Sequence, residues 1–217
     1  NDKLLLLTPG QSSIADARIA KPGVSGRAPD ATGPWVTPAV ATPGKPNDVA
    51  WSRDIVINEI MYHPRDTNAT PWIELYNRSS HTVDLSDWRF TSGMDFRFPK
   101  GTSLAADAYL VIAQDPAALR AEHPGIAVLG PFTGKLSRRN DRIVLSDASG
   151  NPADDVRYFH GGRWPASADG GGSSLELRNP WADNSIAEAW SASRDPAAGW
   201  SNYTYRAVAT AASEPTT

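Results

Sequence analysis

A chain of 217 residues that is 40% hydrophobic and holds 8 tryptophans has apolar material for a packed core of one or two domains. Its formal net charge of −3 argues against the basic stripe of a nucleic-acid-binding surface. With no cysteine there is no disulfide, no thiolate catalysis and no cysteine-based zinc site, and no run of about 18 apolar residues offers a membrane span. The 17 glycines and 18 prolines fit short strands joined by many turns. No signal pattern stands at the N-terminus, and the opening NDKLLLL reads as the interior of a longer chain.

Residues 1–19, NDKLLLLTPGQSSIADARI, read as strand, Gly-containing turn, strand, and so do residues 140–158, NDRIVLSDASGNPADDVRY. Without a gap, Asn1, Asp2, Leu6, Asp16 and Arg18 fall on Asn140, Asp141, Leu145, Asp155 and Arg157. Lys3, Leu4 and Leu5 face Arg142, Ile143 and Val144. The pattern predicts a tandem repeat whose first copy contributes only its C-terminal half; chance likeness between two hairpins is the alternative. Such a half-repeat would lack partner strands and leave an exposed edge. Residues 20–49, rich in Pro, Gly, Ala and Thr, show no apolar periodicity and read as an extended linker, with Trp35 and Trp51 as points that pin it to a neighbouring surface.

Residues 54–77, DIVINEIMYHPRDTNATPWIELYN, hold two strands around a polar loop. Asn58-Glu59 interrupts the apolar pattern of the first, which predicts a bulge or strand end there. In the second, Trp72, Glu74 and Tyr76 share one face and Ile73 and Leu75 the other. Short strands follow at 82–85, 88–91 and near 95–98, then a turn. YLVIA at 109–113 reads as a strand buried on both faces. Residues 115–122 predict one short helix, with Asp115 as N-cap and Pro116 at its first position. Strands resume at 126–129, 142–146, 155–159 and 174–177, and residues 189–193 add a short one. Gly150 in the DASG turn is expected at positive φ. Eight to ten short strands at this spacing predict an all-β sandwich or barrel.

The ordered series INEIMYHP, WIELYN, VDLSDWRF, FPKGTSLAADAYLVIA and LSRRNDRIVLSDASGNPADDVRY resembles the lamin tail domain in its bacterial form, over residues 54–157. WPASADGGGSSLELRNPWADNSIAEAWSAS looks like the extension of bacterial members, and TPGKPN at 42–47 resembles the family's closing segment. The resemblance implies an immunoglobulin-like β-sandwich with one short helix. It implies an accessory module of secreted or cell-surface bacterial proteins, often beside spore-coat-H-like kinase domains. It carries no catalytic motif, and Glu59, Trp72, Glu74, Asn77 and Trp88 are its fold determinants. The expected organisation is a half-repeat plus linker at 1–46, a complete domain at 54–195, and a linker or further module at 196–217.

GPFTGKL at 130–136 is one residue short of a P-loop, and Leu136 stands where Ser or Thr would hold Mg²⁺, so it reads as a loop entering a strand. No G-x-S-x-G elbow occurs. His63, His81, His123 and His160 lack metal-ligand spacing and read as surface histidines. Glu59 and Glu74 would form a carboxylate pair, for acid/base work or Ca²⁺, if their strands are neighbours; the plainer reading is hydrogen-bonded strand-end carboxylates. Residues 65–70 and Asp183-Asn184 offer oxygen ligands without calcium-loop spacing. Arg138, Arg139 and Arg142 form a small basic cluster, read as a solvated loop. Trp88, Trp164, Trp181, Trp190 and Trp200 would make a sugar platform if exposed, but fill or cover a core otherwise. No catalytic, cofactor or metal site is assigned. The expected function is a non-catalytic interaction or spacer module whose partners are other domains of the same chain and extracellular protein or glycan. A glycan-, cell-wall- or DNA-binding module is the alternative, and a carboxylate-dependent hydrolase the third reading.

Overall fold

A computed structural model describes residues 2–19, 23–30, 32–66 and 68–193 of the chain. It divides into two compact units, Asn1–Ala50 and Trp51–Thr217. The expected module at 196–217 lies outside the described residues.

In the first unit, β1 (Lys3–Leu7) and β2 (Ile14–Ile19) form the expected antiparallel hairpin, with a bulge between Leu6 and Leu7. The segment expected to be an extended linker is more ordered than that. It folds into a ladder of β3 (Gly26–Arg27) with β4 (Trp35–Val36), and buries Ala28 and Val36. Side chains hold it together where periodicity gives no signal. Asn47 donates from Nδ2 to the Arg27 carbonyl at 3.0 Å and to Asp30 Oδ1 at 3.1 Å. Arg27 grips Asp16 through Nε at 2.7 Å and Nη2 at 2.6 Å, while its guanidinium lies 4.9 Å from the Trp35 ring centre. Trp35 is therefore a pin within this unit. In the second unit, Trp51 lies under Arg53 at 5.7 Å.

The second unit is an all-β, immunoglobulin-like sandwich with one short α-helix. Its elements are β5 (Ile55–Met61), β6 (Trp72–Asn77), β7 (Val83–Asp84), β8 (Arg89–Ser92), β9 (Met94–Arg97), β10 (Ser103–Leu104), β11 (Tyr109–Ala113), α1 (Pro116–Glu122), β12 (Val128–Leu129), β13 (Thr133–Gly134), β14 (Asn140–Ser146), β15 (Pro152–Phe159), β16 (Leu175–Leu177) and β17 (Trp190–Ala192). One sheet runs β12-β11-β6-β5-β16-β17 and the other β13-β9-β8-β14-β15. The segment after Phe98, expected to be only a turn, also supplies β10, which pairs with β7.

The bulge sets the register that matters. Ile57 stands opposite Leu75, Ile60 opposite Ile73, and Glu59 opposite Glu74, so Asn58 is the extra residue. Ile73 and Leu75 face the core, hence Ile57 and Ile60 do too, and all four are fully buried. Glu59 and Glu74 are left on the outer face. β11 is covered on both sides as expected. Leu110 and Ile112 join the main core, while Val111 and Ala113 pack with Leu119 of α1 and Val128. Asp115 caps α1 by accepting from the backbone N–H of Ala117 and Ala118, each at 3.0 Å. Gly150 takes φ +86 in the β14–β15 turn, where an L side chain would be strained. Asn77 is fully buried, and its Nδ2 donates to the carbonyls of His81, Leu104 and Ala105 at 2.8 to 3.0 Å.

Candidate functional site

The two glutamates the sequence singled out are direct cross-strand partners, and a third joins them. Glu176 on β16 stands opposite Glu59 on its other side. Three carboxyl groups thus cross the outer face of the six-stranded sheet in one row, Glu74, Glu59, Glu176. Like charges placed opposite one another in a sheet are destabilising, so protonation, hydrogen bonding or a counter-ion has to offset them. Among the described residues no Lys or Arg ion pair reaches any of the three.

Glu59 is 5% exposed. Burial pushes its carboxyl up to about 8; the Ser174 hydroxyl donating to Oε1 opposes this, and Glu74 and Glu176 add to it. Ser174 in turn lies 2.7 Å from Ser193 Oγ. Burial pushes Glu74 up to about 7, against a 2.9 Å hydrogen bond from Asn58 Nδ2 to Oε1, with Glu176 adding to the rise. Burial also raises Glu176. The bulge accounts for the geometry: by adding Asn58 it aims both Asn58 and Glu59 at Glu74.

Beside the row, α1 and β11 enclose a cleft of about 160 Å³. Trp72, Glu74, Tyr109, Val111, Leu119 and Ile126 line it, and His123 stands at its wall. Tyr109 stacks on Tyr76 with ring centres 4.7 Å apart. A broader depression of about 620 Å³ lies around Phe159, His160, Arg163, Trp164 and Glu188. It is open, and Arg163 and Glu188 pair across 2.6 Å.

The other sequence-singled residues are held in local structure. His63 Nδ1 lies 2.7 Å from Asp169 Oδ1, His81 Nε2 3.4 Å from Asp54, His123 Nε2 3.8 Å from Glu122, and His160 Nδ1 2.9 Å from the Arg139 carbonyl. Among the described residues no group of three His, Cys, Asp or Glu could hold a metal ion. Asp183 Oδ1 accepts from Ser185 N at 3.0 Å and Oγ at 2.6 Å. In the 65–70 loop Asp66 accepts from Asn68 N at 2.9 Å, and Thr70 Oγ1 accepts from Asp115 N at 2.8 Å. Arg142 is taken from the basic cluster by Asp155 at 2.5 Å, leaving Arg138 and Arg139 exposed. Thr133–Gly134 of the GPFTGKL stretch forms β13.

Among the described residues the tryptophans form no aromatic platform. Trp88, Trp164 and Trp190 are buried, Trp181 is exposed with Arg78 at 5.0 Å from its ring, and Trp200 lies outside the described residues.

Two functional-looking carboxylates escaped the sequence reading. Glu176 was hidden in a plain SLEL strand. Asp154, half-buried and raised by desolvation, accepts from Ile57 N at 2.7 Å and from Asn184 Nδ2 at 2.8 Å, tying β15 to β5. Nothing in the local sequence marks it.

The fold and this face define an immunoglobulin-like β-sandwich module. Residues 49–160 match the family model described as Lamin Tail Domain, slightly more than half of the chain. The chain belongs to the lamin tail domain family, an immunoglobulin-like, non-catalytic family. No curated protein matches it.

Proposed function

We propose that the chain is an interaction and spacer segment of an exported, multidomain bacterial protein, secreted or held at the cell surface. What supports this reading is the likeness of the β1–β2 hairpin to the β14–β15 hairpin. In the ungapped comparison of the two hairpins, the β1 bulge at Leu6/Leu7 falls on the β14 bulge at Leu145/Ser146. Ile143 and Leu145 are fully buried, whereas their counterparts Leu4 and Leu6 are 61% and 64% exposed. Apolar residues in core-like positions without a core fit a hairpin belonging to a preceding copy, whose remaining strands would cover it. Repetition of a module builds reach or avidity without new chemistry.

A chimera tests the repeat. Residues 51–139 joined ahead of residues 2–50 should fold cooperatively and protect the Leu4 and Leu6 amides from hydrogen exchange. A chimera that stays unfolded would remove the repeat. The non-catalytic reading predicts no turnover of glycoside, ester or phosphodiester substrates that the Glu59→Gln/Glu74→Gln double variant loses. Retention on a polysaccharide panel would instead favour the glycan-binding alternative.

A further inference from the structure

The cleft beside the carboxylate row is small and chemically one-sided. Its 160 Å³ falls below the roughly 300 Å³ at which small-molecule sites begin, so it holds one side chain rather than a whole ligand. Val111, Leu119 and Ile126 offer apolar walls, Trp72 and Tyr109 offer aromatic rings, and Glu74 is the carboxyl in its lining. Asn58 occupies Glu74 Oε1, while Oε2 accepts no hydrogen bond among the described residues.

We propose that this cleft is a docking site for a lysine side chain of a partner protein, its methylenes against Val111 and Leu119 and its ammonium on Glu74 beside Trp72 and Tyr109. This rests on the reading of the domain as an interaction module and names the partner's chemistry. Charge complementarity selects the occupant. Three carboxyl groups lie in line with no cation of the described chain paired to them, and aromatic rings attract ammonium groups by their quadrupole. One free carboxylate oxygen suits a compact ammonium better than the two-pronged guanidinium of arginine.

The groups facing Glu74 from the packed elements are Asn58 and Glu59 on β5, Tyr109 on β11, Glu176 on β16, and His123 after α1. Ammonium binding requires Glu74 ionised, so affinity should rise as pH passes upward through about 7 and hold until lysine itself deprotonates near pH 10.

Titrating the chain with a Gly-Gly-Lys-Gly-Gly peptide, followed by tryptophan fluorescence and two-dimensional NMR, tests this. The expected result is saturable binding with shifts at Trp72 and Tyr109. It should weaken about tenfold or more in Glu74→Gln, the range of a charge-assisted hydrogen bond. Ala127→Phe, which fills the cleft from an exposed position, should weaken it similarly. Equal binding of the Nε-acetyl-lysine or arginine peptide, or unchanged affinity in both variants, would each overturn it. A basic partner protein captured equally by wild type and Glu74→Gln would sink the cleft while leaving the module reading standing.

Discussion

Glu59 carries the sharpest physical consequence of the fold. A carboxyl whose folded pKa is raised binds more protons folded than unfolded between the two values, so stability falls as pH climbs through that window. For Glu59 the window runs from about 4.5 to about 8, and for Glu74 from about 4.5 to about 7. The stabilising state is fully present below about pH 4.5. Calorimetry should therefore show the Glu59→Gln variant more stable than wild type at pH 8.5 by at least about 1 kcal/mol. Near pH 5 the two should agree closely, because the amide mimics the protonated acid and still accepts from Ser174. A variant less stable than wild type at both pH values would mean that the ionised form is the stabilising one. Asn77 acts differently, as a buried amide with three carbonyl acceptors. Asn77→Ala should lower the unfolding free energy from a urea titration by about 2 to 3 kcal/mol, since it strands buried carbonyls. Both residues were legible as family positions; the partners that give them these energies were not. Ser174 and Glu59 are 115 positions apart, and only folding makes them neighbours.

At the scale of the element, the first strand shows how one residue decides a face. Removing Asn58 would erase the bulge and send Ile60, or else Ile57, to the outer face. That deletion should abolish cooperative unfolding in a denaturant titration, whereas deleting Gly161 from the loop after β15 should leave a two-state melt. The bulge was readable because a polar pair interrupts an apolar run. The cap of α1 was readable from Asp115-Pro116, and β6 from strict alternation. The β3–β4 ladder was not, because its stability comes from Arg27, Trp35 and Asn47 and not from periodic burial. β10, the partner of β7, escaped for a related reason: two residues are too few to show a period.

At the scale of the whole molecule, each unit poses its own question. The β1–β2 hairpin presents Leu4, Leu5, Leu6 and Ile14 at more than half exposure. Uncovered apolar strands associate, so sedimentation of the chain should show concentration-dependent self-association that Leu4→Lys/Leu6→Lys relieves. Sedimentation identical for wild type and variant would mean that this face is inert. In the sandwich, the carboxylate row exists only because β16, remote in sequence, joins the consecutive strands β5 and β6 in one sheet. The most direct measurement is a carbon-13 NMR titration of the glutamate side-chain carboxyls. Two of them, assigned through the Glu59→Gln and Glu74→Gln variants, should titrate near 8 and 7. If every glutamate in the chain titrates near the ordinary value of about 4.3, the desolvated carboxyl pair made by the Asn58 bulge is contradicted.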